Sequence, residues 1–556
     1  MGNQPVTGRK SDNNTFALHD NLITEDSKAG EKYSLAHGTI GKGQTSQNKI
    51  VKGTLKKYTK TGHSSSVAIK LYDGSSQLPA DLRAEASILS QCDHPNIVKL
   101  FEVTKIEGKM SLVLELCSGG NVLSRIPYKE SQVSNIIRQV TSAISYMHSN
   151  HLMHRDIECS NIMFATPDED SDVKLVDFGS AVELQMVPGH EGAFKFLKDR
   201  TGSMYVMAPE VIRGKYGPKA DVWSIGVVAY TLLMVGKHPI EGKNEDEFER
   251  KILQGSVDYR NWQYSKDAKD FCQETMMINA GFRLSASSAL IHPWMNFGKK
   301  DEDKKKTLPV ELVTSFNLYR IAPPLKRIAL NALALKSTSS MYDSIFERLN
   351  KSNSGILSKE EVVEGFKYSG NSEEELDDLF EKLVRLVIHS PLGSLLWYVI
   401  PLFSVSQFLL AIYIYFDDQD INNNGGVTYT EFMAASLEAQ GELEESSLRE
   451  AFDIISSNGR YITKKDVADV VSESVKRRND LEKVKHKIEI QMNKFKMNHK
   501  KDKIHFDDFC QLFEHGFDAQ RSMDAIIETS LNEEQLNQMK EDDRIKHLVA
   551  IKEAED

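Results

Sequence analysis

Two stretches decide the fold: HRDIECSN (His154 to Asn161) and, sixteen residues beyond its end, DFG (Asp177 to Gly179). Working outward, VAIK ends in Lys70 on a strand-like run, and fifteen residues later Glu85 opens EASIL on a helical pattern. A lysine and a glutamate so placed can pair between a strand and a helix. VAIK alone is common, and a surface lysine is its ordinary reading. Downstream come APE (Ala208 to Glu210) and DVWSIG (Asp221 to Gly226), and the order and spacing of the whole set are far more specific than any one motif. From Tyr33 to about Ala68 the apolar residues fall in short runs broken by Gly, Ser and Thr, as strands do. From Ser131 onward Ile136, Ile137, Val140, Ile144 and Met147 take helical spacing. A small strand-rich lobe followed by a larger helical lobe is the implied shape.

This constellation resembles the eukaryotic protein kinases over residues 33–297. Phosphoryl transfer needs cations on the phosphates and an acceptor for the hydroxyl proton of the substrate. The resemblance implies ATP and Mg²⁺ as cofactors, with Lys70 on the α/β-phosphates and fixed by Glu85, Asn161 and Asp177 holding Mg²⁺, and Asp156 as catalytic base. It places Leu114 at the gatekeeper position, Glu115 and Cys117 along adenine, and Ile40, Gly41 and Gly43 over the nucleotide. Arg283 would pair with Glu210, and SMYVMAPE, with Ser203 where the family usually has Thr, resembles the serine/threonine class.

Four positions depart from the pattern. Glu158 stands where the family has a lysine that contacts the transferring phosphate. Ser46 and Asn48 replace the third glycine and the adenine-capping valine of the glycine-rich loop, where backbone approach is easiest with glycine. Asn121 replaces an acidic residue that often reads a basic substrate residue. An active kinase and a pseudokinase acting as a calcium-responsive binding module are therefore both open.

Beyond the charged linker KKDEDKKK (Lys299 to Lys306), DINNNGGVTYTE (Asp420 to Glu431) has the pattern of a twelve-residue calcium loop. Calcium takes six to eight hard oxygens, here from Asp420, Asn422, Asn424, the Gly426 carbonyl, Thr428 and bidentate Glu431, with Gly425 at the turn. Val427, eighth in the loop, supplies a short strand to pair with a second loop. Three weaker copies lie at Asn350 to Glu361, around Asn458 to Asp466, and at Met497 to Asp508. A kinase followed by four such hands resembles the calcium-dependent protein kinases of plants and protists. LPVELVTSFNLYRIAPPLKRIAL (Leu308 to Leu330) is similar to that family's junction, a helix that occupies the substrate cleft until calcium lets the hands seize it, with Phe316, Leu325, Ile328 and Ala329 as apolar anchors. An ordinary packed linker helix is the alternative.

The expected fold class is an α+β two-lobed protein kinase fold followed by an all-α EF-hand domain. The parts are a flexible arm (1–32), a kinase domain (33–297), a junction (298–337), four hands (338–515) and an acidic tail (516–556) carrying 5 basic and 11 acidic residues. The expected partners are protein substrates and, within the chain, the junction helix with the hands.

The chain has 556 residues, 40% hydrophobic, and a net charge of -11, which excludes wholesale disorder and argues against nucleic-acid binding. Its five cysteines are scattered and MGNQPVTGRKSDNNTF lacks the apolar run of a signal peptide, so a reducing cytoplasmic location is expected. MGNQPV resembles an N-myristoylation start at Gly2, although Val6 stands where Ser or Thr is preferred, and one acyl chain anchors weakly. Residues 386–416 hold no Asp, Glu, Lys or Arg, and 22 of these 31 are Ala, Val, Ile, Leu, Phe, Trp or Tyr, long enough for a membrane span. A span would part the kinase from its calcium loop. From Glu361 to Glu431 is 70 residues, and excising 384–415 brings this to 38, close to the 35 and 42 of the following repeats. The segment reads best as an insertion into a complete hand, with an interface insert or a true span as the alternatives.

Overall fold

The computed structural model describes residues 23–24, 33–36, 38–42, 49–55, 66–72, 80–187, 190–298, 319, 324–334, 340–352, 355–358, 361, 427–439, 445–456, 459–463, 466 and 503–514. The first lobe is a sheet of β1 (Ile23–Thr24), β2 (Tyr33–Leu35), β3 (Gly41–Lys42), β4 (Lys49–Leu55), β5 (Ser66–Leu71), β6 (Leu100–Ile106) and β7 (Lys109–Glu115). Their order is β1-β6-β7-β5-β4-β2, with β3 also on β4. Val51, Val67, Ile69, Leu71, Ile106 and Val113 bury a core of β-branched and aliphatic side chains. Helix α1 (Ala80–Leu89) packs against β6 and β7, with Leu82, Ala86 and Leu89 buried at helical spacing.

Within 1–32 only Ile23 and Thr24 are described, and they pair in parallel with Val103 and Thr104 at the edge of β6, as two β-branched residues can.

The larger lobe is built on α2 (Glu130–Ser149), whose long apolar face meets α4 (Lys219–Leu233) and α7 (Ala286–Leu290). Short strands β8 (Leu152–Met153) with β11 (Val182–Glu183), β9 (Ile162–Phe164) with β10 (Val173–Leu175), and β12 (Met186–Val187) with β13 (His190–Phe194) carry the loops of the cleft. Helices α3 (Pro209–Ile212), α5 (Glu245–Gln254) and α6 (Lys266–Thr275) complete the lobe. Asn244 and Ser265 cap α5 and α6 by accepting the N–H groups of Glu247 and Ala268, and Gly255 ends α5 in the left-handed conformation.

A separate apolar core holds the C-terminal elements: α8 (Pro324–Ala334), α9 (Ser340–Leu349), β14 (Ile356–Leu357), β15 (Val427–Thr428), α10 (Tyr429–Ala439), α11 (Glu445–Ile455) and α12 (Phe506–Glu514). β14 and β15 pair antiparallel with Leu357 opposite Val427, the eighth residues of their loops. Ile462 bridges Ile504 in the same way, so the four loops join as two pairs.

Helix α8 lies against α10 and α11, burying Leu325, Ala329, Leu330 and Leu333 in the core of the hands rather than in the substrate cleft. Ile328 is partly buried there, and Phe316 lies outside the described residues. Among the described residues no helix is long and apolar enough to cross a membrane. The uncharged segment 386–416, the tail 516–556 and Gly2 lie outside them.

Candidate active site

Strand β5 delivers Lys70 to the cleft and α1 delivers Glu85, both buried. Lys70 Nζ lies 2.8 Å from each carboxylate oxygen of Glu85 and 2.8 Å from Asp177 Oδ1. Burial opposes the ammonium charge, but Glu85 and Asp177 outweigh it and hold Lys70 above its ordinary value. Tyr72, two residues along the strand, donates its hydroxyl to Glu85 Oε2 and steadies the carboxylate.

Asp177 adopts φ +60° and Arg155 φ +68°, left-handed conformations costly for residues with a Cβ. Such strain persists where the surroundings overdetermine it. Here Phe178 is buried edge-on against His154, ring centroids 4.8 Å apart. Burial pushes the His154 imidazole down. Asp221 of α4 clamps the loop by accepting the N–H groups of His154 at 3.0 Å and Arg155 at 2.9 Å, with His148 Nε2 at 2.9 Å.

That clamp presents Asp156. Its Oδ1 accepts the Ser203 N–H at 2.8 Å, and its Oδ2 lies 3.2 Å from the Asn161 amide nitrogen, which also donates to the Asp156 carbonyl at 2.9 Å. Gly202, at φ +93°, must be glycine, since a Cβ would stand 2.2 Å from the Arg155 carbonyl oxygen. The activation segment is pinned by Arg155, which pairs with Asp199 at 2.5 Å and donates Nε–H to the Ser180 carbonyl at 2.6 Å. Arg283, with a fully buried side chain, meets Glu210 bidentately at 2.5 and 2.9 Å.

On the adenine side Leu114, Glu115 and Cys117 are buried. The Glu115 N–H is taken by the Lys99 carbonyl, so an adenine would find its carbonyl. Burial pushes the Cys117 thiol up to about 12, leaving its backbone as the useful part. Ile40 is 54% exposed beside β3, which contains Gly41. Gly43, Ser46 and Asn48 lie outside the described residues. Glu158 accepts the hydroxyl of Ser160, and Asn121 spends its side chain capping residues 122–125 through the Leu123 N–H at 3.0 Å. Asp177, beside the Lys70 ammonium, and the side-chain oxygen of Asn161, whose amide nitrogen donates to Asp156, are oxygen donors of the kind Mg²⁺ takes.

Of the calcium set, Thr428 and Glu431 are described, while Asp420, Asn422, Asn424 and Gly426 lie outside the described residues. The Glu431 carboxylate is buried and accepts the Thr428 N–H at 3.0 Å, while the Glu431 N–H donates to the Thr428 hydroxyl at 3.3 Å. Ser358 with Glu361 and Thr463 with Asp466 repeat this reciprocal arrangement. A buried carboxylate closing the loop fits a hard cation.

Sequence reasoning singled out neither Asp221 nor Asp199 for a role. DVWSIG was visible, but its aspartate acts through backbone groups that carry no side-chain signature. Asp199 lies 44 residues from Arg155, in a segment with no motif of its own.

The family described as Protein kinase domain matches residues 36–295. The chain is 29% identical over 470 residues to calcium-dependent protein kinase 5 of Plasmodium berghei (strain Anka), covering 82% of this chain and 75% of that one. It is 29% identical over 458 residues to calcium-dependent protein kinase 5 of Plasmodium falciparum (isolate 3D7), with 81% and 72% covered. Calcium-dependent protein kinase 3 of Plasmodium berghei (strain Anka) aligns over 522 residues at 25% identity, with 91% and 84% covered. Residues 36–295 thus form a protein kinase domain, and over most of its length the chain is similar, at modest identity, to these calcium-dependent protein kinases.

Proposed function

We propose that this chain transfers the γ-phosphoryl of Mg·ATP to serine or threonine hydroxyls of proteins, under calcium control by its C-terminal hands. The carrying observation is the assembled network of Lys70, Glu85 and Asp177, together with the Asp156–Asn161 pair of the catalytic loop. Mg·ATP, when bound, supplies the transferable phosphoryl group and a cation that spreads its charge. Lys70 would hold the α/β-phosphates, and Asp177 and Asn161 would hold the metal. Asp156 takes the proton of the attacking hydroxyl, its carboxylate aimed by Ser203 and Asn161. The burial of α8 among the hands supports release of the cleft by the hands, with Asp420, Asn422, Asn424, Gly426, Thr428 and Glu431 as the calcium position.

Glu158 supports the second reading, a calcium-responsive pseudokinase, because it sets a carboxylate two residues from Asp156. Radiolabelled phosphate transfer from ATP to a mixed protein substrate, with and without calcium, separates the two. Calcium-stimulated incorporation that Asp156→Ala abolishes is expected. Incorporation no greater than that of Asp156→Ala in either calcium state would leave the binding-module reading.

A further inference from the structure

A polar cluster behind β7 joins the kinase domain to the hands and is used by neither site directly. Asp93 Oδ2 accepts the Thr430 N–H at 2.9 Å and its Oδ1 accepts the Thr430 hydroxyl at 2.7 Å, across 337 residues of sequence. Lys99 Nζ donates to the carbonyl of Ala334, the last residue of α8, at 3.1 Å and stands 5.1 Å from the centre of the Tyr429 ring. Tyr429 in turn donates its hydroxyl to Asp343 at 2.5 Å. The two domains also close against each other at Gly355, where a Cβ would lie 2.1 Å from the Tyr146 ring. Asp93 and Lys99 keep some exposed area, yet their charged ends are enclosed: burial pushes the Asp93 carboxyl up and the Lys99 ammonium down.

Each side of this cluster ends at a ligand position. Thr430 is the eleventh residue of the calcium loop, between Thr428 and the closing Glu431, so Asp93 fixes the backbone that aims the Glu431 carboxylate. Asp93 itself lies four residues beyond α1, the helix carrying Glu85. Lys99 pairs with the adenine strand, its carbonyl accepting the Glu115 N–H at 2.9 Å and its N–H donating to Glu115 Oε2 at 3.2 Å. Lys174 ties that same Glu115 carboxylate at 3.1 Å. Partners within one hydrogen-bonded cluster are energetically coupled, and truncating one strands the other.

We propose that the Asp93–Thr430 clasp, backed by Lys99, links nucleotide binding between the lobes to calcium binding at Glu431, each ligand raising the affinity for the other. This rests on the calcium-regulated reading above. Linkage requires the effect to be reciprocal, and couplings of this kind are typically about 5- to 150-fold.

The test is calorimetric titration of the full chain with calcium chloride at fixed free Mg²⁺, with and without the non-hydrolysable ATP analogue AMP-PNP. In the wild type the analogue is expected to raise calcium affinity by about 5-fold or more. Thr430→Val keeps the shape and the N–H but loses the hydroxyl, and Asp93→Asn keeps the shape but loses the charge. In each, calcium still binds and the enhancement falls toward 1-fold. An enhancement unchanged in both variants, or absent from the wild type, overturns the proposal. Calcium binding that drives phosphorylation without any enhancement defeats the coupling alone, whereas a wild type that takes up no calcium defeats the calcium reading and the coupling with it.

Discussion

On the proposed phosphoryl-transfer reading, the charge at position 158 bears directly on rate. Glu158 stands two residues from Asp156 in the catalytic loop and accepts the Ser160 hydroxyl there. Where the γ-phosphoryl gathers negative charge, a fixed carboxylate opposes the transition state, and one preorganised donor is typically worth about 10² to 10³ in rate. Glu158→Lys is therefore expected to raise initial phosphate incorporation by about 10²-fold, while Glu158→Gln recovers a smaller part by removing the charge alone. Equal rates in all three proteins would show that position 158 does not reach the phosphate. Arg283 poses the complementary question of stability. Its guanidinium is buried against Glu210, with the Met277 and Lys219 carbonyls as its other partners. Removing one partner of a buried pair costs about 3–5 kcal/mol, and Glu210→Ala is expected to cost about 3 kcal/mol because those carbonyls remain. Urea denaturation of the two proteins measures it, and a change under 1 kcal/mol would assign Arg283 to its carbonyl partners instead. The residues legible in the sequence were those whose chemistry allows no substitute: Lys70, Asp156, Asn161 and Asp177 stand in recognisable local motifs.

Elements explain why other residues were not legible. Asp221 holds the catalytic loop by accepting backbone N–H groups of His154 and Arg155, and any sequence in that loop would offer the same donors. Burial works against the Asp221 charge, but the His148 hydrogen bond and the nearby imidazoles prevail and hold its carboxyl below the ordinary range. A carboxylate with a depressed folded pKa contributes stability that is complete above its unfolded value, about 3.9, and disappears as pH falls through the folded value. Acid unfolding of Asp221→Asn should therefore be less steep below about pH 4 than that of the wild type, although the variant is less stable at neutral pH. Parallel acid-unfolding curves would remove Asp221 from the account. The activation segment follows the same logic with a different partner. Arg155 is satisfied by Asp199, so a side-chain carboxylate already occupies the guanidinium. Phosphatase treatment is expected to leave activity unchanged, whereas Asp199→Ala lowers kcat by up to about 10²-fold, the order of a misplaced positioning group. A rate that falls only after dephosphorylation would put a phosphate, not Asp199, in control.

At the scale of the whole molecule the sequence pattern revealed two kinds of domain but not the surface between them. Motifs are local, and the Asp93–Thr430 contact spans 337 residues, so neither partner carries a signature of the other. The hands present the opposite case, because their repeat was legible and the pairing of Leu357 with Val427 joins its first two copies. Those copies are separated by 70 residues between Glu361 and Glu431, where the later pair is separated by 42. If the apolar stretch 384–415 is an insertion, a chain without it keeps 38 residues, enough for one repeat. Loop-closure entropy changes slowly with length, so shortening this connection is worth only about 0.5 kcal/mol in favour of the paired loops. A protein lacking 384–415 is therefore expected to fold, to bind calcium with an affinity within about 2-fold of the wild type, and to respond to AMP-PNP through the same clasp, an entropic gain of that size shifting affinity by no more. Loss of cooperative unfolding or of calcium binding in the shortened chain would instead make 384–415 part of the packed domain, and the repeat would then have to be redrawn around it.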